Sequence, residues 1–385
     1  MGRRYRIPLD YSCQENVALR LDEFDYDLPP EKIAQRPLEQ RDASRMLLLD
    51  RATGRFEDHL FRDFPELLKG NELIVVNNAR VLPARLFGRR AGLHAQAVGK
   101  NSPIRKQNLA SEIEVLLLRC VRGNEWEALV RPGRKISVGE TITFGEGELK
   151  AEVTSRGGYG QRKIVFTAEG NVRDAIERLG HVPLPPYIKR EDESSDRERY
   201  QTVFARSGSA VAAPTAGLHF TEEMLGSLRS QGIEIREITL DVGLGTFEPI
   251  RTERLEDHAI HKESYEVPPE TADAIRRAKS NGRAVLAIGT TVVRALEDAA
   301  EQGTRAGLDQ NTLLRSGRFE AEIFVYPGKP FRVTDQLLTN FHLPRSSLLA
   351  LVAAFAGREN ILRAYHHAVE ANYRFYSYGD CMWIR

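Results

Sequence analysis

Val211-Ala212-Ala213-Pro214-Thr215-Ala216-Gly217-Leu218-His219-Phe220-Thr221 opens as a short apolar run, breaks at Pro214 and Gly217, and enters a helical pattern from Glu222 to Arg229. It reads as strand, polar turn and helix, with Thr221 as N-cap and Glu222 and Glu223 in the first turn. Such a turn leaves backbone N–H groups beside Thr215 and His219, which suits a polar ligand. Taken alone it equally suits a loop whose polar groups only satisfy the backbone. The C-terminal remainder of the chain decides the fold. Ile233 to Val242, a helix from about Glu270 to Ser280, Ala284 to Ile288, a helix from Thr291 to Glu301, Ile323 to Tyr326, Leu337 to Asn340 and a helix from Ser346 to Ala356 keep strands and helices alternating. Alternation of that kind predicts a mostly parallel sheet covered by helices.

Toward the N-terminus the same class of element returns. Met46 to Asp50 reads as a strand, Asp63 to Leu68 as a helix ended by Gly70, and Leu73 to Asn78 as a buried strand ending in two amides. Between these halves the pattern changes. Glu114 to Arg119, Trp126 to Val130, Thr141 to Phe144, Leu149 to Val153 and Lys163 to Phe166 alternate with period two, separated by Gly123, Gly133, Gly139, Gly145 and Gly157-Gly158. That spacing predicts a small all-β barrel or sandwich inserted in the α/β domain. His181 to Tyr187 is too proline-rich for a central strand and leads the chain back.

The bulk properties exclude several classes. The 385 residues can bury two cores, and 41% apolar with 28% charged residues is an ordinary globular balance. Cys13, Cys120 and Cys381 are too few and too scattered for a disulfide framework or a zinc site, which points to a reducing cytoplasm. The basic start has no apolar segment behind it, and the longest apolar run, Leu348 to Ala356, is too short to cross a bilayer. A net charge of +1 neither requires nor forbids a polyanionic partner. From Gly88 to Ser111, however, the chain is basic and free of acidic residues.

In α/β folds ligands sit at the carboxyl ends of the strands. Those ends here read Pro214-Thr215-Ala216-Gly217, Gly243-Leu244-Gly245-Thr246-Phe247, Gly289-Thr290-Thr291 and Thr339-Asn340-Phe341-His342-Leu343-Pro344. Each joins glycine or proline to a hydroxyl or amide, and four converging loops of this type predict a polar-ligand site. Gly243-Leu244-Gly245 is not a dinucleotide fingerprint, because Pro249 stands near the last required glycine. His258 and His261 share a helical face but lack the cysteine or carboxylate pattern of a metal centre, so no metal is expected.

Several blocks together carry a family resemblance: Phe24 to Pro29, Arg41 to Arg45, Val130 to Gly133, Leu184 to Ile188, Arg199 to Val203, Ala212 to Phe220 and Val242 to Phe247. His258 to Glu263, Ala287 to Arg294, Thr339 to Arg345 and Tyr373 to Asp380 continue the series. From about Glu23 to the end the chain resembles the S-adenosylmethionine:tRNA ribosyltransferase-isomerase family of queuosine biosynthesis. It departs at Asn77-Asn78-Ala79-Arg80, where the family often has Asn-Asp-Thr-Arg, and at Cys381, where alanine is usual. The resemblance implies an α/β fold with a TIM-barrel-like main domain, residues 23–77 and 182–385. It also implies an inserted small all-β barrel domain, residues 78–181, behind an N-terminal extension, residues 1–22.

The activity implied is transfer and isomerisation of the ribosyl part of S-adenosylmethionine onto 7-aminomethyl-7-deazaguanine at the wobble position of tRNA. The tRNAs would be those with GUN anticodons (tyrosine, histidine, aspartate and asparagine), and the products epoxyqueuosine, adenine and methionine. The cytoplasm would be the location, with a monomeric protein and no membrane partner. His219 is then the first choice for the base, His342 the second, with Glu263 and His261 in proton transfer. Thr215, Gly217, Gly245, Thr246, Thr290, Arg294 and Asn340 would bind S-adenosylmethionine, and Arg80, Arg85, Arg131 and Lys135 the tRNA. Two other readings of the residues stay open here: an α/β barrel enzyme acting on a free nucleoside or sugar, and an RNA-binding protein without catalysis.

Overall fold

The computed structural model describes residues 19–90, 112–133, 136–158, 160–243, 250, 252–308 and 314–385. A first set of strands comprises β1 (Arg45–Leu49), β2 (Phe56–Leu60), β3 (Leu73–Asn77) and β4 (Ala79–Val81). The chain then enters β5 (Arg85–Arg90), β6 (Glu112–Arg122), β7 (Glu125–Arg131), β8 (Thr141–Phe144), β9 (Leu149–Arg156) and β10 (Gln161–Ala168), which close in the order β10-β7-β6-β5-β8-β9. This is the expected small barrel, all antiparallel. Its closure follows from the period-two pattern: Ile113, Val115 and Leu117 of β6 and Trp126, Ala128 and Val130 of β7 all point into one apolar core. Helix α1 (Val172–Leu179), capped by the Asn171 side chain, adds Val172, Ala175 and Ile176 to that core.

The remaining strands are β11 (Ser207–Ala210), β12 (Glu234–Leu240), β13 (Glu263–Val267), β14 (Val285–Ile288), β15 (Gly317–Ala321), β16 (Gln336–Asn340) and β17 (Cys381–Ile384). They join β1, β2 and β3 in a nine-stranded sheet of order β15-β13-β12-β3-β14-β16-β17-β1-β2, while β11 pairs only with β4. The four central strands β12, β3, β14 and β16 run parallel. Leu73 and Val75 of β3 face one core and Ile74 and Val76 the other, which is why that strand reads as an unbroken apolar run. The first core is covered by α3 (Pro269–Ser280), α4 (Thr290–Arg305), α5 (Ser347–Ala356) and α6 (Arg358–Glu370), the second by α2 (Glu222–Ser230) with Phe61, Phe64 and Phe220.

Several expectations are corrected. Among the described residues the main sheet has two ends, at β15 and β2, and so is open where a TIM-barrel-like ring was expected. The reason lies in antiparallel partners at the margins: β13 and β15 beyond β12, and β2 beyond β1. The segment Ile323–Tyr326 is no strand; β15 forms instead at Gly317–Ala321. The strand preceding the Pro214 turn is the short β11, and Thr215–His219 is a 3₁₀ turn leading to the Thr221-capped α2. The first eighteen residues of the N-terminal extension and most of the basic loop, 91–111, lie outside the described residues. Among the described residues no helix is long and apolar enough to cross a membrane.

Candidate active site

The carboxyl ends of β12, β14 and β16 and the segments entering β1 and β17 meet at one place, because β17 runs antiparallel to β16 and parallel to β1. There a pocket of about 540 Å³, counted to its open mouth, is lined by Thr215, Val242, Gly289, Thr290, Thr291, Thr339, Asn340 and His342 on the strand ends. Tyr187, Tyr376 and Ser377 complete it from the other side. Gly289 makes the turn into α4 with φ +97°, a conformation that L side chains rarely adopt. Tyr376 is held at φ +74° without being glycine, its N–H bonded to the Phe341 carbonyl at 3.2 Å and its carbonyl accepting from Asn340 Nδ2 at 2.9 Å. Strained non-glycine residues of this kind concentrate at ligand sites.

His342 is on the wall. Its Nε2 lies 3.0 Å from Thr339 Oγ1, its N–H donates to the Tyr365 hydroxyl at 3.1 Å, and its carbonyl accepts from the Tyr26 hydroxyl. Burial pushes its pKa down to about 3, so the ring is neutral at physiological pH. His219 is not among the residues that line the pocket. It lies behind Asn340, 3% exposed, with Nδ1 2.8 Å from Ser44 Oγ and the ring 5.3 Å from that of Phe61. Burial pushes its pKa down to about 4; Asn340 opposes that shift, and the Arg374 and Arg41 charges reinforce it.

The other expected residues divide. Thr215, Thr290 and Asn340 line the pocket. Gly217 does not: a Cβ there would stand 2.5 Å from the Phe204 ring and 2.8 Å from Thr202 Cγ2, so this glycine serves packing. Glu263, His261 and Arg294 line a neighbouring cleft of about 350 Å³, which shares Leu348 with the pocket. Arg294 is already paired to the Glu263 carboxylate and bonds the His261 carbonyl at 3.3 Å, while Glu263 also accepts from Gly243 N–H at 3.1 Å. That pairing occupies both groups before any substrate arrives. Gly245, Thr246 and Lys135 lie outside the described residues. Among the described residues no group of three or more His, Cys, Asp or Glu could hold a metal.

The cations expected to meet RNA are differently placed. Arg80 pairs with Glu177 at 2.6 Å, and Arg85 with Glu114 at 2.8 Å while lying over the Phe87 ring. Arg131, at the end of β7, is exposed. The Asn78 departure falls away from the pocket, where Nδ2 donates to Glu237 at 2.9 Å and Oδ1 accepts from Thr239 at 2.7 Å. Tyr187, Tyr376 and Ser377 lie in blocks that carry the family resemblance and line the pocket, yet were not among the expected site residues. The Tyr187 and Tyr376 rings meet edge to face at 4.0 Å, and the Tyr187 and Ser377 hydroxyls bond each other. Their signal was the aromatic density of Tyr373 to Tyr378 and the Pro-Pro-Tyr at 185–187, both outside the strand-end loops.

A pocket of hydroxyls, one carboxamide and a neutral imidazole at the mouth of a parallel sheet marks an enzyme of the α/β class with a polar organic substrate. A barrel inserted between the first sheet strands and the rest is its distinguishing addition. The chain belongs to the family of queuosine biosynthesis proteins, whose model matches residues 21–384. It is 53% identical over 368 residues to the S-adenosylmethionine:tRNA ribosyltransferase-isomerase of Solibacter usitatus, covering 95% of this chain and 100% of that protein. The protein of the same name from Moorella thermoacetica is 49% identical with the same coverage. A crystal structure of S-adenosylmethionine tRNA ribosyltransferase from Thermotoga maritima is 35% identical over 94% of this chain and all of that one, with a TM-score of 0.50.

Proposed function

We propose that this protein transfers and isomerises the ribosyl part of S-adenosylmethionine onto the aminomethyl group of 7-aminomethyl-7-deazaguanine at the wobble position of GUN-anticodon tRNA. Epoxyqueuosine forms, and adenine and methionine leave. The observation that carries this reading is the hydroxyl- and amide-lined pocket at the strand ends of a chain that matches the family from 21 to 384.

The sulfonium acidifies the ribose C5′ hydrogens, and a neutral base must take one. His342 fits that role: it lines the pocket, and Thr339 holds its Nε2, leaving Nδ1 for the substrate. Its low basicity does not count against it. Proton transfer turns the net-cationic sulfonium into a neutral ylide as the imidazole becomes cationic, so the net charge in the pocket is unchanged and the burial cost of imidazolium is offset. Thr215, Thr290, Thr291 and Asn340 supply hydrogen-bonding groups for the nucleoside and methionine parts. Tyr187 and Tyr376 offer ring surface for a flipped wobble base at the rim. Residues 78–181 act as the tRNA-contacting unit, with exposed Arg131 as one phosphate contact.

The test mixes the protein with S-adenosylmethionine and tRNA carrying 7-aminomethyl-7-deazaguanine, follows adenine release, and digests the tRNA for mass analysis. Adenine together with a nucleoside of epoxyqueuosine mass is the expected result. Adenine release on a free nucleoside without tRNA would transfer the assignment to a small-molecule enzyme.

A further inference from the structure

Two buried side-chain atoms on the first turns of α4 are without a hydrogen-bond partner among the described residues: Thr291 Oγ1 and Arg294 Nε. Their residues are 8% and 5% exposed. Spaced i and i+3, the two residues share a face of the helix and lie about 4.5 Å apart along its axis. Thr291 lines the pocket and Arg294 the neighbouring cleft, and Leu348 of α5 borders both. The unsatisfied groups thus lead from the pocket into the cleft. There the guanidinium has spent two of its nitrogens, Nη1 on Glu263 and Nη2 on the His261 carbonyl, and Nε remains.

The cleft adds a second set of donors. Ser347 and Leu348, the first residues of the ten-residue helix α5, are in its wall. Ser346 caps that helix, its hydroxyl accepting from Leu349 N–H at 3.2 Å and its carbonyl from Ala350 N–H at 3.1 Å. Neither the cap nor the helix serves the N–H groups of Ser347 and Leu348, and these, with the helix dipole, favour negative charge in the cleft. Glu263, whose side chain is 2% exposed in the same wall, opposes a bare anion such as phosphate. A guanidinium and a helix N-terminus beside a carboxylate, bordered by apolar Phe324, Val325 and Leu351, match a zwitterion on an aliphatic stem.

Resting on the donor proposed above, we infer that this cleft is the subsite for the α-amino-acid end of S-adenosylmethionine. The carboxylate meets Arg294 Nε and the N-terminus of α5, the ammonium turns toward Glu263, and the pocket keeps the nucleoside and the sulfonium. Two methylenes separate the sulfonium from the α-carbon, a reach comparable to the turn of α4 between Thr291 and Arg294. The buried Arg294–Glu263 pair then has a task beyond holding the fold. It tells a donor with an intact amino-acid head from one without.

The test removes the carboxylate from the ligand and its partner from the protein in turn. Adenine release by the full-length protein, with tRNA carrying 7-aminomethyl-7-deazaguanine, is followed with S-adenosylmethionine and with decarboxylated S-adenosylmethionine, and kcat/KM is taken for each donor. Wild type should prefer the intact donor by about a hundredfold, the scale of a buried charged group left without its partner. Arg294→Gln should shrink that preference by about tenfold or more. The preference is a ratio read on one preparation, so an unfolded fraction cancels from it. Where Arg294→Gln fails to fold, Ser347→Pro tests the same contact. Proline is accepted at the first helical position, Ser346 before it is already extended (φ −101°, ψ 154°), and the change deletes one N–H facing the carboxylate. It should reduce the preference several-fold. A wild-type preference below about threefold, or one unchanged in the variants, overturns the subsite while leaving the reaction assignment standing. No adenine from wild type with the intact donor overturns the reaction assignment, and the subsite with it.

Discussion

Among the described residues the barrel and the main domain each bury one arginine–glutamate pair, and the two pairs are finished differently. In the barrel Arg90 pairs with Glu140, 9% and 0% exposed, and Glu140 also accepts from Ser137 N–H at 3.1 Å. Beside the pocket Arg294 pairs with Glu263, 6% and 2% exposed, but the pair lines a cleft and Arg294 Nε is left buried without a partner. The same chemistry closes a fold in one region and leaves hydrogen-bonding capacity beside a cavity in the other. Arg162 Nε in the barrel is also buried without a partner, so such an atom points to a ligand only where its residue borders a cavity, as Arg294 does.

The largest expected effect is on the pocket side. His342→Ala should lower single-turnover adenine release by about 10²–10⁴-fold, the usual contribution of a general base, with an unchanged melting curve. Near-normal release would remove His342 from the reaction. Next come the two pairs themselves. Glu140→Ala leaves Arg90 buried without its carboxylate and should cost about 3–5 kcal/mol, read as a lower urea midpoint, with turnover of the folded fraction intact. Glu263→Ala should cost a comparable amount and also change turnover. If both variants behaved alike in the turnover assay, the contrast between the regions would collapse.

A smaller effect is expected from pH. The folded pKa values of His219 and His342, about 4 and about 3, lie below the unfolded value near 6.5, so the unfolded chain binds more protons between these limits. Stability is therefore full above pH 6.5 and falls as pH drops toward 4 and then 3, by up to about 1.4 kcal/mol per unit for each ring. Urea midpoints from pH 7.5 to 5 should decline in the wild type and decline less in His342→Gln. The smallest effect belongs to the barrel surface. Arg131→Ala should weaken tRNA binding a few-fold and reduce the slope of log affinity against log salt by about one phosphate contact. An unchanged slope would move the RNA surface elsewhere.

Much of this was legible in the sequence, and the reason is periodicity. Five of the barrel strands announce themselves by alternation because each has one wet and one dry face; β5 was missed where its pattern runs through Arg89 and Arg90. The central strand β3 was legible because burial on both faces makes an unbroken apolar run. β17 was not, since Cys381-Met382-Trp383-Ile384 is too short a run to show a period, and only its pairing with β1 and β16 makes it a strand. From the strand-end loops, Thr215, Thr290, Asn340 and His342 line one pocket.

The sequence by itself determined the family, the α/β class, the inserted barrel and the set of residues from which the site is drawn, because these rest on local pattern and chain order. Only the tertiary structure decided which of those residues share a wall. It set His342 on the pocket and His219 behind Asn340, tied Arg294 to Glu263, and brought Tyr187 and Tyr376 together from positions 189 residues apart. The sheet also turned out open at both ends among the described residues. Such choices depend on how strands order across a sheet and on which polar atom finds a partner. Long-range pairing settles both, and a residue's neighbours in sequence carry no record of it.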